Sequence, residues 1–155
     1  MKPQHLSVHA RSSAPPDVIW PLLSDVSTWT TWAPFEQAFL EQPGADDPNG
    51  VGAVRQFHRG RYVTREEITE FVPGRRLTYH LLSGLPLDSY SATVELVPSD
   101  DGTDIVWSST FVARIPGTGA IFRRGMERLY RQFAELLAAA PDVAAGTHSL
   151  ERSHR

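Results

Sequence analysis

Glu66 is the carboxylate around which chemistry could be built in this chain. Two strand-like stretches, Val51–His58 and Arg61–Phe71, flank the turn signal Arg59-Gly60. A two-residue loop there pairs His58 with Arg61 and Phe57 with Tyr62. It sets Arg55 opposite Thr64 and diagonal to Glu66, all on one face. Burial would raise the Glu66 pKa and Arg55 would lower it. A carboxylate so tuned is a candidate general base for enolising or dehydrating a carbonyl substrate. Tyr62, Tyr79 or Tyr90 would then donate to the developing oxyanion. A polar clamp on a ligand head group uses the same residues equally well.

Other chemistry finds little support. His5 and His9 alternate on a strand, which separates them by about 13 Å, too far to share a metal ion. His58 and His80 fall on the outward set. No metal site and no cofactor are expected. "GVGAVR" (Gly50 to Arg55) has Arg55 where a dinucleotide loop needs its third glycine, and it enters a strand. "GTGAIF" (Gly117 to Phe122) precedes a helix but carries Phe122 at that position. Ser83 lacks the glycines of a nucleophile elbow. The chain has no cysteine, which removes disulfides, thiolate nucleophiles and thiolate zinc sites.

The elements that must position these residues follow from periodicity. Gln4 to Arg11 alternates as a first strand. Pro15-Pro16-Asp17 opens a short helix with Val18, Ile19, Leu22 and Leu23 as its apolar stripe, and a second covers Val26 to Trp32. Strands are then expected at Glu36–Glu41, Val51–His58, Arg61–Phe71, Arg76–Leu82, Ser89–Val97 and Asp104–Ala113. If Pro73-Gly74 centres a turn, Ile68 pairs with Tyr79 and Glu66 with Leu81. Across the last hairpin Leu96 meets Ile105, Val94 meets Trp107, Ala92 meets Ser109 and Tyr90 meets Phe111. Phe122, Met126, Leu129, Phe133, Leu136 and Ala140 then share one face of a helix of about twenty residues, which Pro141 is expected to end. Arg124, Arg128, Arg131 and Glu135 face outward.

The fold class is therefore α+β: a seven-stranded antiparallel sheet wrapped around a long C-terminal helix, with two short helices after the first strand. Residues 1–140 form one domain and 141–155 a flexible polar tail. With 155 residues the chain can bury a sizeable core. Its 41% apolar content argues against wholesale disorder. A net charge of -3, with the basic helix face partly offset by Glu127 and Glu135, gives no reason to expect nucleic-acid binding. No stretch approaches a membrane span, and no signal peptide is recognisable, so the expected location is the cytoplasm. Nothing in the sequence sets an oligomeric state.

Several phrases resemble the START-like, Bet v 1-like superfamily, and within it bacterial polyketide cyclase/dehydrase-like proteins. They are "SAPPDVIWPLLSDVSTWTTWAPF" (Ser13 to Phe35), "GVGAVRQF" (Gly50 to Phe57), "VPGRRLTYHL" (Val72 to Leu81), "GTDIVWSSTF" (Gly102 to Phe111) and "PGTGAIFRRGMERLYRQFAELL" (Pro116 to Leu137). The resemblance spans roughly residues 4–140. It implies a helix-grip fold that holds apolar molecules between sheet and long helix, and it carries over no catalytic signature.

On the inward face, Ala92 and Ser109 are small, adjacent and central, and leave room for a cavity beneath the helix. The residues expected around a ligand are Trp32, Phe35, Arg55, Phe57, Tyr62, Thr64, Glu66, Tyr79, Tyr90, Ala92, Trp107, Ser109 and Met126. Trp32 or Phe35 would line the entrance, and the loop Ser83 to Ser89 would form another part of its rim. Three functions fit: a carrier or sensor of a small apolar molecule, a cyclase or dehydratase using Glu66, or a ligand-free interaction module.

Overall fold

Alternation of apolar and polar residues gives each strand one inward face, and the sheet follows from it. The computed structural model describes residues 2–152, with side chains described for residues 2–142. Seven strands, β1 (Gln4–Ser12), β2 (Gln37–Gln42), β3 (Val54–Arg59), β4 (Tyr62–Val72), β5 (Arg76–Ser83), β6 (Leu87–Ser99) and β7 (Gly102–Ala113), form one antiparallel sheet. Their order is β1-β7-β6-β5-β4-β3-β2. The helix-grip class expected from the sequence is therefore present. β7 shows the cause most clearly: every second residue from Thr103 to Ala113 is buried.

β1 and β2 lie at opposite edges, so the chain between them must cross the sheet. It does so through α1 (Pro16–Ser24), a 3-10 turn (Val26–Thr28) and α2 (Trp29–Trp32). Pro16 occupies the first turn of α1, where its missing N–H is harmless. Pro21 lies inside the helix on its exposed side, so the carbonyl it leaves unpaired can face water. Asp25 caps the 3-10 turn by accepting from the Ser27 N–H. Trp29 is the hub of the core. Its ring meets Trp32, Phe35, Phe57, Trp107 and Phe133 at centroid distances of 4.7–6.5 Å, and its indole N–H donates to the Leu23 carbonyl.

α3 (Gly119–Arg152) is longer than expected. It passes through Pro141 instead of ending there. Proline removes one backbone hydrogen bond and crowds the preceding turn, but its φ is helical, so a helix can continue past it. Met126, Tyr130, Phe133, Ala134, Leu137 and Ala140 form its buried stripe. Arg124, Arg128, Arg131 and Glu135 face solvent as expected.

Three hairpin registers can be compared with their expectations. In β3–β4 the loop is Gly60-Arg61, with Arg59 opposite Tyr62 and Phe57 opposite Thr64. Gly60 takes the positive φ of 58° that this turn needs, which shifts the loop by one residue from Arg59-Gly60. Both strands keep their inward faces, but Arg55 now sits directly opposite Glu66, not diagonal to it. In β4–β5, Ile68–Tyr79 and Glu66–Leu81 pair as expected. The turn is one residue wider, since Val72 pairs with Arg76, and a bulge between Ile68 and Glu70 absorbs the difference. In β6–β7, Leu96–Ile105, Val94–Trp107 and Ala92–Ser109 hold. A bulge between Asp88 and Ser91, with Ser89 at φ 51°, breaks the Tyr90–Phe111 backbone pairing, although their rings remain 6.3 Å apart.

Candidate ligand cavity

The long helix does not cover the sheet evenly. Its backbone lies against β1 and β7 and stands away from β3, β4 and β5. The wedge between them is a cavity of about 980 Å³. Phe57, Thr64, Glu66, Tyr79, Leu81 and Tyr90 form its sheet wall. Phe122, Gly125, Met126, Leu129, Tyr130 and Phe133 form its helix wall, and Trp29 and Phe35 close the end under the short helices. The mouth lies where the β3–β4 hairpin, the β5–β6 connection and the start of α3 meet. Arg59, Gly60, Arg61, Tyr62, Leu85, Pro86 and Ile121 rim it.

The polar heart of the sheet wall is the Arg55–Glu66 pair. Direct pairing across β3–β4 brings Arg55 Nη2 to 2.5 Å from Glu66 Oε1. Arg55 is fully buried, and its Nε and Nη1 find no hydrogen-bond partner. Its guanidinium instead lies over the rings of Trp29, Phe57 and Tyr79, at 5.0, 5.2 and 5.4 Å. Glu66 is the only counter-charge within reach among the described residues. Burial raises the Glu66 carboxyl above its ordinary value, and Arg55 opposes that rise through charge and hydrogen bonding.

Beside this pair stand two buried phenols. Tyr79 accepts a hydrogen bond from Trp107 Nε1 at 3.2 Å. Burial pushes its hydroxyl pKa well up, and the Glu66 charge adds to the shift. Tyr90, with its ring 6.4 Å from that of Tyr79, is also raised, by burial first and then by Tyr79 and Glu66. Both are therefore neutral hydroxyls at physiological pH, able to donate as well as accept. The Tyr130 hydroxyl, on the helix wall, is buried without a partner. The cavity thus offers an aromatic and aliphatic surface with one row of hydroxyl and carboxyl groups along β4–β6.

Of the residues expected around a ligand, Phe35, Phe57, Tyr62, Thr64, Glu66, Tyr79, Tyr90 and Met126 line the cavity. Trp32, Arg55, Ala92, Trp107 and Ser109 do not. Trp32 packs on Trp29 and donates its N–H to the Leu22 carbonyl, so it builds the short helices. Arg55 lies behind Glu66 and acts through it. Trp107 is covered by the Tyr130 and Phe133 rings at 5.7 and 5.8 Å. Ala92 and Ser109 are buried and pair across β6–β7 outside the cavity, and Ser109 lies on β7, the strand against which α3 packs.

Trp29, Gly125, Tyr130, Ile121 and the hairpin tip Arg59-Gly60-Arg61 line the cavity without having been expected there. α2 has only four residues, too few for periodicity to tell Trp29 from Trp32. Gly125 and Tyr130 were within reach of helical spacing, since they lie three or four positions from Phe122, Met126 and Phe133.

Among the described residues no cluster of metal-ligating side chains occurs, and no helix is long and apolar enough to cross a membrane.

Structures of known proteins share this fold. The Zhui aromatase/cyclase of Streptomyces sp. R1128 is 18% identical over 91% of this chain and 94% of its own, with a TM-score of 0.73. A START-superfamily protein of Mycobacterium smegmatis is 13% identical over 90% and 98%, with a TM-score of 0.78. Norcoclaurine synthase of Thalictrum flavum, in complex with dopamine and hydroxybenzaldehyde, is 15% identical over 90% and 86%, with a TM-score of 0.67. At these identities the likeness is one of fold. No curated protein matches the sequence. The family model described as polyketide cyclase / dehydrase and lipid transport matches residues 3–140, and the chain belongs to that family.

Proposed function

We propose that this protein binds a small, predominantly apolar molecule between its sheet and α3, as a carrier or sensor. The observation that carries the reading is the cavity of about 980 Å³, walled by aromatic and aliphatic side chains with a few polar groups on one side. Ligand pockets run to roughly 300–1,000 Å³ and have this composition. Burial of the ligand's apolar surface would drive binding, at about 25 cal/mol per Å² gross. Tyr79, Tyr90 and Glu66 would orient it through a carbonyl or hydroxyl group. Norcoclaurine synthase, similar in fold, forms a complex with two small molecules, dopamine and hydroxybenzaldehyde. An interaction module without a ligand would be expected to have a filled interior, and the cavity counts against it.

The test is native mass spectrometry of the protein purified from its own host, followed by extraction of the bound compound. A discrete adduct, absent from Gly125→Trp, supports the reading. Absence of any adduct, together with no uptake of apolar dyes, overturns it.

A second reading is enzymatic. Glu66 reaches the cavity wall with a raised carboxyl pKa beside two neutral phenols, which is the equipment of acid–base chemistry on a carbonyl compound. Glu66→Gln separates the readings. Retained affinity for the extracted compound with loss of its conversion favours the enzyme; a change in affinity alone favours the carrier.

A further inference from the structure

The charged side chains that line the cavity mouth are both arginines, with the Glu36 carboxylate held beside them on the Gly60 N–H. Glu66 lies inside, but Arg55 neutralises it. The other two charged residues lining the cavity are Arg59 and Arg61, both exposed at the rim. Neither is within ion-pair distance of a carboxylate among the described residues. This sets them apart from Arg11, Arg65, Arg76 and Arg114 on the same sheet and its loops, each of which is paired. The Glu36 carboxylate accepts from the Gly60 N–H at 3.0 Å and keeps its charge, so it offsets one of the two arginines and leaves the hairpin tip net positive. The Arg61 guanidinium lies 5.6 Å from the Tyr62 ring centroid, which steadies it beside the opening.

We infer that the ligand is an amphiphile whose apolar body enters the cavity and whose anionic head group, a carboxylate, sulfonate or phosphate, stays at the mouth between Arg59 and Arg61. This inference rests on the cavity being a ligand site. Tyr62, Thr64 and Glu66 are successive inward residues of β4, so Glu66 lies about 13 Å deeper than Tyr62 along the strand. An anion at the rim is thus separated from the Glu66 carboxylate, while the body it carries spans the aromatic wall. Planar guanidinium groups suit such a head group because they can bind two of its oxygens at once.

Two fluorescent probes of the same ring skeleton test the inference: anilinonaphthalene sulfonate and its uncharged analogue phenylnaphthylamine. The expected result is that Arg59→Gln/Arg61→Gln weakens the sulfonate about tenfold. The neutral probe should bind the variant as it binds the parent. High salt should narrow the difference. Arg75→Gln, which removes one positive charge at the opposite end of the β4–β5 hairpin, should leave both affinities alone, and thermal unfolding should show the double variant folded. Dodecanoate in solution should displace the sulfonate better than dodecanol does. Equal loss of both probes, or no loss of the sulfonate, overturns the inference and leaves the cavity reading standing. Failure of both probes to bind the parent protein overturns the two together. Capture of the protein by phosphatidylglycerol vesicles with the sulfonate still bound would make the arginines a membrane contact, and would also overturn it.

Discussion

Removing Glu66 should damage this protein far more than removing Arg55. Arginine cannot shed its charge in a protein interior, whereas a carboxyl can take up a proton. Arg55 is fully buried, two of its three nitrogens lack hydrogen-bond partners, and its third is held by Glu66 at 2.5 Å. In Glu66→Leu the guanidinium keeps only the faces of Trp29, Phe57 and Tyr79. Breaking a buried pair from one side costs about 3–5 kcal/mol. Three aromatic faces at about 0.5–2 kcal/mol each are already present in the parent and offset nothing new. Against a total stability of about 5–15 kcal/mol, such a loss is severe. Arg55→Met leaves Glu66, whose carboxyl is already raised by burial and would rise further without its cation. It can then fold protonated. With a folded pKa above the unfolded value of 4.5, the native state holds the extra proton. Stability therefore falls as pH rises from the unfolded value to the folded one, and levels off above it. Arg55→Met should thus be close to the parent in acid and lose ground toward neutrality. Arg55→Met/Glu66→Leu should recover most of the Glu66→Leu loss. Urea unfolding of the four proteins at acid and neutral pH measures every quantity. A Glu66→Leu loss below about 1 kcal/mol, the size of an exposed pair, would refute the argument that Arg55 depends on this one counter-charge.

Gly125 should yield stability to substitution at the expense of space. It sits in α3 with nothing within 4 Å of the position its Cβ would take, so Gly125→Ala should gain about 0.5–1 kcal/mol, read as a small rise in Tm. Gly125→Trp should instead fill part of the cavity and exclude apolar probes in a fluorescence titration. Gly84 behaves oppositely: at φ 114° its added Cβ would lie 2.2 Å from the Val63 carbonyl oxygen, so Gly84→Ala should lower stability by about 1–3 kcal/mol and loosen the rim. Absorbance titration in alkali should find Tyr79 and Tyr90 still protonated well above the ordinary tyrosine range. Because unfolded tyrosines ionise first, stability should fall as pH climbs past about 10, and the two should ionise together with unfolding.

How much of the cavity could be read from the residues depends on which order of structure places each one. Inward faces were accessible because strand periodicity is two and the error in the β3–β4 loop was one residue on each side of the hairpin, which preserves the faces. Phe57, Thr64, Glu66, Tyr79 and Tyr90 therefore fell on the correct side. The same error moved partners along the strand, and so concealed that Arg55 and Glu66 face each other directly. The position of the cavity along the sheet is a different kind of fact. Small residues at Ala92 and Ser109 pointed to empty space beneath the helix, yet small side chains do one of two opposite things: they leave a void, or they let a neighbour come closer. At Ser109, on β7, the helix packs close, while Ala92 is buried without lining the cavity. Which outcome occurs depends on the axis of α3 relative to seven strands, and that axis is set by many contacts at once. α1 and α2 hold one side, and β1 and β7 hold the other. No local pattern encodes such a tilt. The cavity opens where the bulky residues of β3–β5 meet a helix too far away to fill the gap. Its aromatic wall is thus a consequence of large side chains left partly uncovered, and this is why an apolar ligand is the natural thing to cover them.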